Sequence, residues 1–218
     1  MTILEMHNEF KILMDKADSG SAPSFLSEEV DVFLNASIER FITKRAFGNN
    51  VRRTGFEENQ KRRDDLRNVI SNVGIEVFDT IVGESKPNGS FVSLPNDYRH
   101  AINEECMVED GARISVKPIT YDRYNKIIDD PFNSPNENSI YRLDYGNNRF
   151  ELISPKPIVK YYLRYIKNLD SVSLQNSINC ELADHTHREI IRMAVLEALE
   201  NIESPRYQSS KIELNEIE

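Results

Sequence analysis

The chain has 218 residues, 39% of them apolar and 29% charged, with a formal charge of −9 and a pI near 5.1. That length supports one sizeable domain, or a domain carrying a large insertion, around a core that is thin for the chain's size. The acidic balance argues against a protein whose main task is to grip nucleic acid by its phosphates, and no stretch approaches the ~20 apolar residues of a membrane helix.

The first residues, MTILEMHNEF, carry Glu5 and no basic run, so no secretory signal is expected. Thr2 and Glu5 stand at capping-box spacing. Ile3, Met6, Phe10, Leu13 and Met14 then recur at helical spacing, which predicts a helix to about Lys16, broken by the Ser19–Pro23 stretch. Ser27 is the expected N-cap of a second helix, with Glu28 and Glu29 in its first turn and an apolar stripe of Val30, Phe33, Leu34, Ile38, Phe41 and Ile42. Gly48-Asn49-Asn50 ends it, and a basic loop runs from Val51 to Gly55. A third helix is expected over Glu57–Asn72, with Gly74 as its C′ residue. Its apolar residues are few (Leu66, Val69, Ile70), so it needs partners to hold it.

From Ile75 the period changes to two. Phe91–Leu94 reads as a strand closed by Pro95, with Tyr98 anchoring the exit. Cys106–Val108 and Arg113–Val116 flank a hairpin turn at Glu109–Ala112, and Ile140–Asp144 and Arg149–Ile153 flank a second at Tyr145–Asn148. Thr120 is placed to cap a short helix through Asp129. Ile158–Ile166 is a long strand with Val159, Tyr161, Leu163 and Tyr165 on one face and Lys160, Tyr162, Arg164 and Ile166 on the other. A last helix starts near Leu182 or Asp184 and stops at Ser204-Pro205. The polar, acidic end from Gln208 is expected to be disordered in the isolated subunit.

The resulting fold class is α+β: N-terminal helices packed with a C-terminal helix, with an inserted antiparallel β-rich region. The expected divisions are a helical region 1–74, a β-rich insertion 75–170, a closing helix 171–206 and a flexible C-terminal arm 207–218.

Motifs for chemistry are scarce. His185-x-His187 has i, i+2 spacing, which on a helix splays two metal ligands apart, so no metal is expected; the pair reads better as polar residues of a first helical turn. Cys180 near these histidines lacks an orienting third residue. Cys106 and Cys180 share no pairing motif, and a reducing compartment is the simpler inference. No glycine-rich phosphate cradle occurs, so no cofactor is expected. No catalytic residue is identified, and the chain is not expected to be an enzyme.

The basic run is more informative. Lys44, Arg45, Arg52, Arg53, Lys61, Arg62, Arg63 and Arg67 fall within one stretch of an acidic chain. Three readings stay open: a solvated face with i, i+4 pairs such as Glu57–Lys61 and Glu58–Arg62, a surface that docks an acidic protein partner, or a contact to DNA. The DNA reading would make the chain a nucleic-acid-binding protein using Lys44–Arg67. Tyr207, Ile212 and Leu214 form a second candidate interface. Ile212 and Leu214 alternate as in a strand, and a neighbour could accept both on one face. Tyr207 is the expected anchor.

Together, the segments MTILEMHNEFKILMDKADS, PSFLSEEVDVFLNASIERFITKRAFG and RTGFEENQKRRDDLRNVI resemble the head-to-tail connector (ring or adaptor) proteins of crAss-like short-tailed phages of gut Bacteroidales. The Leu94-Pro-Asn-Asp-Tyr98 turn and the run from Pro155 to Leu169 are similar to the broader tail-tubular-protein-A or gatekeeper group, and ADHTHREIIRMAVLEALENIESPRYQS adds to the likeness. The resemblance implies a virion structural protein at the head–tail junction, assembled in the host cytoplasm. It implies a homo-oligomer, a dodecameric ring, with the portal protein and neighbouring tail or ring proteins as partners. Genomic DNA would pass through the channel without sequence-specific binding, and no membrane would be involved. The basic run departs from a simple acidic channel wall, and the resemblance leaves its orientation open.

Overall fold

In a computed structural model, the described residues are 1–14, 25–47, 58–78, 86–130, 132, 135–136, 139–202 and 207–216. The chain divides into two compact units, Met1–Val69 with Leu169–Glu218, and Ile70–Asn168.

The first unit is helical. Helices α1 (Ile3–Met14) and α2 (Ser27–Phe47) both pack on α5 (His187–Asn201). The buried side chains are those the 3.6-residue period selects: Ile3, Met6, Phe10 and Met14 on α1, Val30, Leu34, Ile38, Phe41 and Ile42 on α2, and Ile190, Ala194, Ala198 and Leu199 on α5. Each large apolar side chain so buried contributes about 1.5–3 kcal/mol. Phe10, Phe25 and Phe33 form an aromatic group, with Phe10 stacked on Phe33 at 6.3 Å between centroids.

Reciprocal bonds close the capping box: Glu5 N donates to Thr2 Oγ1 (3.3 Å) and Thr2 N to Glu5 Oε2 (2.8 Å). The cap of α2 lies one residue earlier than Ser27, because Leu26 N donates to Glu29 Oε2 (2.8 Å) and Leu26 O accepts from Val30 N (3.1 Å). The expected helix over 57–72 is corrected more deeply. Among its described residues, 58–72, only Gln60–Asp65 (α3) is α-helical, Arg67–Val69 is a single 3₁₀ turn, and Ile70 begins a strand. Asn59, not a residue near 57, is the N-cap, accepting from Arg62 N (3.4 Å). The polar run lacked a stripe to extend the helix, and Gly74 sits inside a strand instead of closing a helix. The end from Gln208, expected to be disordered in the isolated subunit, is instead helical through Glu216 (α6, Tyr207–Glu216) and contacts α5.

The second unit is a seven-stranded sheet in the order β1-β7-β3-β4-β5-β6-β2. The strands are β1 (Ile70–Glu76), β2 (Gly89–Ser93), β3 (Tyr98–Val108), β4 (Arg113–Pro118), β5 (Ile140–Gly146), β6 (Arg149–Ile153) and β7 (Ile158–Lys167). The sheet curls until its two end strands meet through a bridge between Phe78 and Phe91. Both expected hairpins form. Gly111 takes φ 81° in the first, and Asn147 and Asn148 take φ 49° and 58° in the second. One pair departs from the antiparallel expectation: β4 and β5 run parallel, Val116 opposite Ile140, because the connection between them crosses over through α4 (Tyr121–Ile128).

Inside the curl lie Val92, Leu94, Cys106, Val108, Ile114, Val116, Ile140, Phe150, Leu152, Tyr161, Leu163 and Tyr165. Outside it, Tyr124 of α4 packs on Tyr141, Leu143 and Ile153, giving β5 and β6 apolar residues on both faces. On β7, Tyr161, Leu163 and Tyr165 face inward as their period predicts, while Val159, beyond the core, is 48% exposed. β3 follows the curvature through register shifts between Tyr98 and His100 and between Ala101 and Asn103.

Candidate functional site

The basic stretch separates into inward and outward members. Arg45, near the end of α2, is buried: its Nη2 reaches both carboxylate oxygens of Glu189 on α5 (2.8 and 2.7 Å), and its Nε lies 2.8 Å from Asp65 Oδ2 at the end of α3. The Asp65 contact is an ion pair whose geometry falls outside a hydrogen bond. Asp65 Oδ1 is held by His185 Nε2 at 2.9 Å, and the Arg45 guanidinium lies 4.9 Å from the centre of the Phe41 ring. The expectation that Arg45 is an interface cation is therefore corrected: two carboxylates neutralise it inside the helical unit, where it joins α2, α3 and α5. Lys61, Arg63 and Arg67 are exposed, and Lys44 and Arg62 are half-buried. Arg52 and Arg53 lie outside the described residues. The i, i+4 ladder has no helix to stand on, since Glu58 precedes α3 and Arg67 follows it.

The histidine pair diverges. His185 engages Asp65, whereas His187 is buried with Nε2 3.0 Å from Leu182 O. Burial pushes the His187 pKa down, with the Leu182 carbonyl opposing. Among the described residues, no group of three or more His, Cys, Asp or Glu is placed to hold a metal ion. Both cysteines are free and buried. Burial, and next the Glu104 carboxylate, push the Cys106 thiol up to about 12, and burial raises that of Cys180, so neither favours a thiolate.

At the C-terminal end, Tyr207 is half-buried, with Lys211 Nζ 5.5 Å from its ring centre, and Ile212 is 62% exposed. The side chain of Leu214 is outside the described set.

Two polar groupings escaped the sequence reading. In the first, the irregular segment after β7 is tied to α2 by side chains one helical turn apart. Asn35 accepts from Val172 N (2.8 Å) and donates to Val172 O (3.0 Å), while Asp31 accepts from Leu174 N (3.1 Å) and meets His7 Nε2 at 2.7 Å. These bonds satisfy backbone groups that no sheet or helix serves. Asp31 and Asn35 at i, i+4 on an otherwise apolar stripe were the available signal.

The second lies inside the curled sheet. Glu104 accepts from the Tyr161 hydroxyl (2.8 Å), and Arg142 Nη1 stands 2.9 Å from its other oxygen. The Arg142 guanidinium sits 4.1 Å from the Phe150 ring centre. Burial raises the Glu104 pKa, with Arg142 and the Tyr161 bond opposing; burial and the Glu104 charge push Tyr161 far up. Near the sheet's end, Asp97 accepts from the Tyr165 hydroxyl (2.9 Å), and Tyr98 packs edge-on to Phe150. Tyr98 thus anchors the strand exit as its sequence context predicts. Nothing in the period-two pattern marked Arg142 as inward-facing beyond its parity with Ile140.

Neither unit arranges these groups around an open cleft; the charged side chains hold elements together. Among the described residues of the basic stretch, Lys61, Arg63 and Arg67 point outward.

Comparison with known proteins agrees with that character. A family model described as phage tail ring protein 3/4 matches residues 1–209. Two proteins of Bacteroides phage crAss001 are similar along nearly their whole length. "Ring protein 3" is 27% identical, covering 89% of this chain and 94% of its own. "Ring protein 4/5" is 28% identical, covering 89% of this chain and 91% of its own. The chain belongs to the phage tail ring protein 3/4 family.

Proposed function

We propose that the chain is a structural subunit of a phage head–tail connector, forming a ring with copies of itself between the portal protein and neighbouring tail proteins, around the channel that genomic DNA traverses. The observation that carries this reading is the family match over residues 1–209. The net charge of −9 supports it, since a wall that DNA slides past should not hold phosphates. So does the use of buried charge as internal struts, which leaves Lys61, Arg63 and Arg67 outward for an acidic protein neighbour. In this reading the protein works by assembly in the virion, and its subunits are made in the host cytoplasm.

The test is negative-stain imaging and native mass spectrometry of the full chain, alone and with its portal protein. A closed ring on the portal is expected. A monomer under both conditions overturns the reading. Tight duplex-DNA binding at physiological salt, with a salt slope flattened by Lys61→Glu and Arg63→Glu, would replace it with the nucleic-acid reading.

A further inference from the structure

β1 is the incomplete side of the curled sheet. It pairs with β7 along its whole length, Ile70 opposite Ile166 through Glu76 opposite Lys160. Towards β2, the described residues show one bridge, in which Phe78 N donates to Phe91 O (3.0 Å) and Phe91 N to Phe78 O (2.9 Å). In an antiparallel strand alternate residues turn their N–H and C=O to opposite sides. Because Phe78 turns towards β2, Asn72, Gly74 and Glu76 turn the same way. Among the described residues, no strand receives them. The inward side chains beside this edge, Val73 and Ile75, are only partly buried, whereas their β7 partners Leu163 and Tyr161 are fully buried. An open edge of this length, free of Pro and Lys, is a template for another strand.

The surroundings select the strand. A Cβ at Gly74 would stand 2.6 Å from Lys160 Cε and 3.4 Å from its Nζ, so the missing side chain lets Lys160 lean across β1 towards the open edge. Lys160 forms no ion pair among the described residues, and Arg164 and Arg113 stand on the same outward face. The edge therefore wants apolar residues inward and a carboxylate outward. The C-terminal run Lys211-Ile-Glu-Leu-Asn215 has that alternation. With Glu213 opposite Gly74, Ile212 and Leu214 fall opposite Val73 and Ile75 in either strand direction, and Glu213 meets the Lys160 ammonium. In the free chain this segment belongs to α6, a ten-residue helix on which Ile212 is exposed. A helix that short has little stability of its own, so what its conversion to a strand gives up is chiefly its contact with α5.

We propose that the C-terminal segment of a second copy adds to the open edge of β1, with Ile212 and Leu214 covering Val73 and Ile75 and Glu213 paired to Lys160. This rests on the ring reading, because it needs an adjacent copy.

The experiment uses full-length chain carrying Asn72→Cys and Asn215→Cys, assembled into tails as a mixture of light and heavy isotope-labelled copies and treated with a short bismaleimide. Cys106 and Cys180 are buried, so the engineered thiols are the reactive pair. Cross-linked peptides of mixed label are expected. Links only within one label mean that a chain's own end folds back, which overturns the second-copy assignment. Rings visible by imaging with no link overturn this inference and leave the ring reading standing; no ring in wild-type tails overturns both. A further variant, Gly74→Pro on the same background, deletes the outward N–H at a position where edge strands tolerate proline, and is compared with Gly74→Ala, because a Cβ here displaces the Lys160 chain in either variant. It should lower the mixed-label yield roughly threefold to tenfold, the worth of one backbone hydrogen bond, with unchanged circular dichroism. An undiminished yield rules out strand addition.

Discussion

The two units bury charge differently. In the helical unit, Arg45 meets two carboxylates from two other elements, and one of them, Asp65, has a second partner in the largely exposed His185. In the curled sheet, Arg142 and Glu104 meet among aromatic rings, with the Tyr161 hydroxyl as the further partner. The first arrangement has redundancy and touches solvent at one corner. The second rests on a single ion pair, so Glu104 has one cation where Arg45 has two carboxylates. A missing partner should therefore cost more in the sheet, and its cost should depend on pH.

Arg142→Met is the sharpest way to break that contrast. Removing one member of a buried pair typically costs about 3–5 kcal/mol, and Glu104 would keep only Tyr161. Glu104 already has a pKa raised from its ordinary 4.5 by burial, and losing Arg142 raises it further. A carboxyl whose folded pKa lies above its unfolded value binds its proton more tightly when folded. Stability is therefore fullest below pH 4.5 and declines as pH rises towards the folded pKa. Urea titrations across a pH series should show the penalty of Arg142→Met shrinking towards acid pH, and adding Glu104→Gln should remove the pH dependence. Equal destabilisation at acid and neutral pH would mean that lost packing on Phe150, not the stranded carboxylate, is the cause.

Arg45→Ala tests the redundant arrangement, and about 3 kcal/mol is expected, the low end of what breaking a buried pair costs, because His185 still holds Asp65 and Glu189 is partly solvated. Hydrogen exchange gives the discriminating measurement. Protection should fall in α2 and α5 while amides of β3 and β7 keep theirs. If sheet amides lost protection equally, the two units would unfold as one cooperative body.

The same contrast explains what could be read from the sequence. α1, α2 and α5 were legible because their apolar stripes repeat within one element. The two hairpins were legible because Gly111 and the Asn147–Asn148 pair mark positive φ locally. The failures are non-local. The early end of α3 depends on Asp65 turning in to Arg45 and His185, far along the chain. The parallel β4–β5 pair depends on how α4 crosses over, which strand periodicity does not encode. Of the candidate interface, Lys61, Arg63 and Arg67 are outward as a charged run predicts, whereas Arg45 has the same composition signal and the opposite fate, decided by Glu189 on α5. The open edge of β1 was hidden because residues 70–72 were assigned to a helix.

The smallest expected effect isolates the local term. Thr2 and Glu5 cap α1 through bonds three residues apart, whereas the strand exit at Asp97 is held by Tyr165, distant in sequence. Thr2→Ala removes the acceptor for Glu5 N, and N-cap losses of this kind cost about 0.5–2 kcal/mol. The lower end is expected, for two reasons. Glu5 still accepts from the residue 2 amide, and Ile3 N has its own partner in Asn179 Oδ1 at 2.8 Å. Ser restores a hydroxyl in the same place, so Thr2→Ser should match the wild type while Thr2→Ala loses about 0.5–1 kcal/mol by chemical denaturation. The loss should appear as faster exchange in the first turn of α1 and nowhere in the sheet. A Thr2→Ala penalty as large as that of Arg45→Ala would show that the cap also fixes how α1 seats on α5, making a contact of three-residue range responsible for long-range order.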